Sequence, residues 1–189
     1  MIYPIVIYGS PILRKVAQEI DKDYPGLNEF IKDMWETMYQ SDGLGLAAPQ
    51  VGKSIRLFVI DGEPLEEDEL SLKNFKKVFI NAKIIDKSIE TVSLAEGCLS
   101  IPNLREEVSR PSKIRIEYYD ENFNHHDEWY EGVAARVIQH EYDHTDGILY
   151  TDKVSPLTLG GENGYNIYIA ERLGSSITSH NSVYLATEN

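Results

Sequence analysis

Between Pro25 and Gly43 the apolar positions Leu27, Phe30, Ile31, Met34, Trp35 and Met38 recur at steps of three and four. They draw one continuous stripe and predict an amphipathic helix, which Ser41, Asp42 and Gly43 end. Upstream, Ser10 and Pro11 form a good helix start, but the apolar pattern behind them supports only a turn or two. Five shorter runs change the period: IRLFVID from Ile55, KVFINAKII from Lys77, IETVSLAEG from Ile89, KIRIEYYD from Lys113 and HHDEWY from His125. Rich in β-branched and aromatic residues and divided by turn residues, they predict strands. The acidic stretch Glu63 to Glu69 reads as a solvated loop, and Pro102 as a turn. Strands follow one another without a helix until Val133, which predicts an α+β domain, its sheet largely antiparallel with helices at one side.

A second helix begins at Glu131 or Gly132 and stops at Gly147. Val133, Val137 and Ile138 anchor it in the core, and at 3.6 residues per turn His140 and His144 stack on one face. Two imidazoles four apart are what a divalent metal needs from two of its ligands. Glu141, turned about 100° from His140, reaches a water at that metal without ligating it. This helix is therefore central to fold and chemistry alike.

Composition narrows the rest. The 189 residues fit one globular domain, and the formal net charge of -13 argues against general attraction to nucleic acid or anionic lipid. The opening MIYPIVIYGSPILRK has no basic flank and only a short apolar run, so it predicts neither a signal peptide nor a membrane span. A single cysteine, Cys98, agrees with a reducing, cytoplasmic compartment and leaves its thiol free for chemistry.

The pair of histidines lacks a third ligand, and three residues compete for the place. Glu162 and Glu171 lie downstream, where zinc peptidases of this kind take theirs, although Tyr150 stands where the longer peptidase pattern requires histidine. Cys98, in EGCLS, would make with the histidines a four-coordinate centre with one position open to water. A carboxylate would give a zinc endopeptidase, and a fourth protein ligand closing the site would give a non-catalytic peptide-binding protein with a structural metal. His125 and His126 are adjacent on a strand, point to opposite faces and read as surface residues.

Three segments together carry a resemblance. GLGLAAPQ from Gly43 to Gln50, EGCLS from Glu96 to Ser100 and QHEYDH from Gln139 to His144 are similar, in order and separation, to the signature motifs of peptide deformylases. The likeness spans residues 1 to 157, a catalytic domain, and leaves 158 to 189 as a tail outside the pattern. It implies hydrolysis of the formyl group from N-formylmethionyl nascent peptides, releasing formate. By resemblance Cys98, His140 and His144 hold one divalent metal, Fe2+ with Zn2+, Ni2+ or Co2+ as substitutes. Glu141 serves as base and then acid, and Gln50 with the backbone N–H of Leu99 stabilises the oxyanion. Gly43, Leu44 and Gly45 on one side and Gly97 on the other bind the peptide as an added strand. Val133, Arg136 and Val137 line the methionine pocket, and Arg105 contacts the peptide backbone. Arg136 departs from the aliphatic residue expected there, and its stem is expected to pack on methionine while its charge reaches solvent. From Ser155 onward one arginine, Arg172, faces Glu162, Glu171 and Glu188, so no basic ribosome-docking helix is visible.

Overall fold

The fold is that of a computed structural model, which describes residues 1–154. Helix α1 spans Leu27–Gln40 and helix α2 Gly132–Thr145. Seven strands complete the frame: β1 Gly45–Ala47, β2 Leu57–Asp61, β3 Lys76–Lys87, β4 Thr91–Cys98, β5 Ile101–Pro111, β6 Lys113–Tyr119 and β7 His125–Glu131. They form a five-stranded sheet in the order β1-β2-β3-β6-β7 and a separate β4-β5 hairpin, antiparallel throughout. The α+β class and the central helix agree with expectation.

The helices do not lie at one side. Along β2, Leu57 and Val59 pack with α1 residues such as Phe30 and Met34, whereas Phe58 and Ile60 pack with Val137 and Ile138 of α2. With side chains alternating between faces, the sheet is covered on both, which is why LFVID is buried at every position rather than at every second one. Twelve of the fourteen residues of α2 are buried, so that helix lies inside the molecule rather than on it.

The β4-β5 hairpin belongs to a third apolar cluster. Cys98, Ile101, Leu104 and Val108 pack with Leu13, Leu149, Tyr150 and Val154, a cluster apart from the one that holds the apolar face of α2. Strand β5 occupies the stretch expected to turn at Pro102; the chain reverses earlier, at Leu99 and Ser100. Asn103, at a φ of 63°, and a bulge that pairs Glu96 with Glu106 but Cys98 with Ile101 break the apolar alternation there. The acidic loop contains a short 3-10 turn, Glu63–Leu65, and a second, Leu70–Leu72, follows it with Leu72 fully buried.

Candidate metal centre

The hairpin and the helix bring three donors together. Cys98 ends β4, while His140 and His144 lie one turn apart on α2, and their ligand atoms all fall within 4.8 Å of one another. Cys98 Sγ and His144 Nε2 are 3.3 Å apart, a gap that an ion about 2.0–2.3 Å from each would bridge. His140 uses Nδ1 to hold Glu96 Oε2 at 2.8 Å, which leaves its Nε2 for such an ion. All three side chains are buried, and soft thiolate with imidazole suits zinc or iron(II) alike. The donor set thus fits one divalent transition metal with an open position.

Glu141 lies beside this trio with Oε2 buried and without a hydrogen-bond partner. Burial pushes its carboxyl up to about 7, the range in which a group both takes and returns a proton at neutral pH. Burial pushes His144 well below the usual histidine range, while Cys98 and Glu96 overcome the same burial at His140 and hold it well above. Gly45 explains itself here: a Cβ on it would meet Glu141 Oε1 at 2.6 Å. A Cβ on Gly43 would meet Leu99 Cδ1 at 3.1 Å, and one on Gly97 the Arg105 side chain at 3.3 Å. The glycines let the segments around Leu44, Leu99 and Arg105 close on the site.

Gln50 is aimed by its own loop. Ala47 N–H donates to its Oε1 at 2.9 Å, so Nε2 faces Cys98 Sγ at 3.4 Å and Ser100 Oγ at 3.3 Å. Leu99 is buried in the cluster under α1, and Leu44 is buried beside it in the GLGLAAPQ segment. Val133 and Val137 pack into the cluster between α2 and the five-stranded sheet, and Arg105 is exposed on β5. One expectation is overturned. Arg136 does not send its charge to solvent: it is 3% exposed, and its guanidinium binds Glu96 Oε1 at 2.7 Å and the carbonyls of Val108 and Val92.

Glu96 is the residue sequence reasoning passed over. It is 1% exposed and accepts from Arg110 Nε at 2.5 Å and Nη2 at 2.9 Å besides Arg136 and His140. Burial works to raise its pKa, but the Arg110 and His140 hydrogen bonds prevail and hold it far below the usual carboxylate range. Arg110 also binds Asp143 at 2.6 Å. Period two puts Glu96 on the Cys98 side of β4, and helical spacing puts Asp143 on the His140 side of α2, so both were open to inference. Glu162 and Glu171 lie outside the described residues. Among those described, the cluster offers three protein ligands and no fourth.

A buried helix carrying a His pair and a glutamate, completed by a thiol from a neighbouring hairpin, defines a metal-dependent hydrolase. The family model described as polypeptide deformylase matches residues 2–159. The chain is 57% identical over 162 residues to the peptide deformylase of Flavobacterium psychrophilum, covering 82% of this chain and 84% of that one. It is 55% identical over 164 residues to that of Christiangramia forsetii, covering 83% and 84%. The crystal structure of the Thermotoga maritima peptide deformylase superposes with a TM-score of 0.74 at 41% identity, over 82% of this chain and 99% of the other. The chain belongs to the polypeptide deformylase family, metal-dependent hydrolases that remove the N-formyl group from nascent peptides.

Proposed function

We propose that residues 1–157 deformylate N-formylmethionyl peptides with Cys98, His140 and His144 as the metal ligands and Glu141 as the proton carrier. The observation that carries this assignment is the convergence of those three donors beside a buried, unpartnered glutamate oxygen. A divalent ion held by Cys98, His140 and His144, Fe2+ by family resemblance with Zn2+, Ni2+ or Co2+ as substitutes, would polarise the formyl carbonyl and lower the pKa of water toward ~7. Glu141 takes the proton from that water as the formyl carbon is attacked and delivers it to the methionine nitrogen as the C–N bond breaks. Gln50 Nε2, held in place through Ala47, and the Leu99 N–H donate to the developing oxyanion. The peptide lies as an added strand along β1, the edge of the five-stranded sheet, with Leu44 on one side and Gly97 and Arg105 on the other. Val133 and Val137 bound the methionine side chain.

The partner is a nascent chain with a formylated amino end, met at the ribosome, and the place is the cytoplasm. No helix among the described residues is long and apolar enough to cross a membrane. Formate release from a formyl-Met tripeptide, set against cleavage of unformylated peptides, tests the assignment. Internal peptide-bond cleavage without formate release would return the endopeptidase reading.

A further inference from the structure

Cys98 and α2 lie in separate apolar clusters, and of the residues at the hairpin tip it is Leu99 that packs into the other cluster of the five-stranded sheet, with Leu57 and Val59. Cys98 packs in the hairpin cluster, and α2 packs on the five-stranded sheet through Val137 and Ile138. Leu99 anchors the hairpin tip to the sheet, but apolar burial is non-directional, so the finer spacing between Cys98 and α2 is left to other contacts. Yet Cys98 Sγ and His144 Nε2 stand 3.3 Å apart. Across that seam the Tyr150 ring of the hairpin cluster stacks on His140, 5.9 Å between centroids, and polar side chains make the directional contacts. From the hairpin, Arg110 reaches Asp143 on α2; from α2, His140 reaches Glu96 and Gln139 reaches the Pro111 carbonyl at 3.0 Å.

Arg136 is the bond of widest reach. From α2 its Nη1 donates to Glu96 Oε1 and to the Val108 carbonyl on β5, and its Nη2 to the Val92 carbonyl on β4. It therefore ties the helix to both hairpin strands and to the carboxylate two residues before Cys98. Its charge is not needed to pair the carboxylates of the seam. Glu96 and Asp143 already have two cations, since Arg110 binds both and Lys153 lies 3.3 Å from Asp143. A surplus buried cation is costly, and what a guanidinium offers here is its planar fork of donors, able to serve three acceptors at once.

We propose that Arg136 is a positioning residue that sets the distance between Cys98 on the hairpin and His140 and His144 on the helix, and so governs how tightly and in what geometry the site holds its metal. The inference rests on the donor set assigned above. It extends the known dependence of metal sites on the groups behind their ligands to a residue that touches no ligand atom itself.

The test compares cobalt-loaded wild type with Arg136→Met and Arg136→Lys. The apparent Kd is read by chelator competition, the site by its thiolate-to-cobalt and d–d absorption, and the backbone by hydrogen exchange. In Arg136→Met the Kd should rise about 10–100-fold and the d–d bands should shift. Exchange across residues 91–111 should quicken at least about tenfold while the five-stranded sheet keeps its protection. Arg136→Lys should recover part of the affinity, because an ammonium lacks the planar fork. A Met variant with Kd within about twofold of wild type and an unchanged spectrum overturns the proposal. So does loss of protection spread evenly over the five-stranded sheet, which would make Arg136 a residue of general stability. A wild-type spectrum without the thiolate band overturns the donor set itself, a result distinct from either.

Discussion

Helix α2 is held in two different ways along its two sides. Toward the five-stranded sheet its contacts are apolar: Val133, Ala134, Val137 and Ile138 pack with Phe58, Phe79 and Ile116. Toward the β4-β5 hairpin they are charged and hydrogen-bonded, through Arg110, Arg136, Glu96, Asp143 and Gln139. Apolar burial is non-directional and roughly proportional to area, so it places a helix stably but leaves small sliding motions cheap. Forked hydrogen bonds between buried charges add little net stability yet tolerate little displacement. The sheet side gives the helix its place, and the hairpin side gives the metal centre its dimensions.

The largest effect should come from a change that disturbs neither side. Glu141→Ala removes the proton carrier while leaving the three donors and both packing faces, so formate release should fall about 10²–10⁴-fold. Metal content by elemental analysis should match wild type. Activity within about tenfold of wild type would dismiss Glu141 from the chemistry.

On the sheet side, Ile138→Ala opens a cavity at a fully buried position. Unfolding free energy should drop by about 2–5 kcal/mol in a denaturant titration. The folded fraction should still bind metal with nearly wild-type affinity, because the seam is untouched. A metal affinity that falls in step with stability would mean the two sides of α2 are not separable.

On the hairpin side, Cys98→Asp keeps a ligand and its charge but exchanges sulfur for oxygen. The metal preference should move toward harder ions such as Mn2+, measured by competitive loading and by the metal dependence of formate release. Fold stability should change much less than in Ile138→Ala. An unchanged metal profile would make Cys98 an ordinary member of its apolar cluster.

The same division decides what could be read from the chain. The sheet side was legible because periodicity reports burial: the stripe of α1, the strands β2, β3, β6 and β7, and the apolar face of α2 all appear in the pattern of residues. The His pair and Glu141 were legible because helical spacing alone brings them together. On the hairpin side β4 was legible in IETVSLAEG, but β5 and its register were not. Strand β5 carries Pro102, Asn103 at positive φ and a bulge, and each breaks the alternation that marks a strand. Arg110 sits beyond that break, so its approach to Glu96 depends on a register no local pattern contains. Arg136 looked like a snorkelling surface cation because nothing near it in sequence supplies the three acceptors that draw it inward.

The smallest effect isolates what burial adds to the charged side. Asp120, in the β6-β7 turn, resembles Glu96 in being surrounded by donors: the Asn122 and Asn124 backbone N–H groups at 2.9 Å, Asn124 Nδ2 at 3.0 Å and His126 Nε2 at 3.0 Å. Burial pushes its carboxyl up, but His126 and the asparagine donors prevail and lower it to about 2. A carboxylate depressed on folding stabilises above its unfolded pKa of about 3.9, and that contribution is lost as pH falls through about 2. Acid should therefore loosen this turn between pH ~4 and ~2, seen as faster exchange at residues 120–126. At pH 7, where the charge is present, Asp120→Asn should cost about 1 kcal/mol or less because the turn borders water, a drop of roughly 2–4 °C in Tm. Glu96→Gln, with a similar set of donors but no solvent to replace the lost charge, should cost several times more by the same melt. Equal losses at the two positions would mean that the enclosure of the seam contributes nothing, and the contrast between the two sides of α2 would rest on geometry alone.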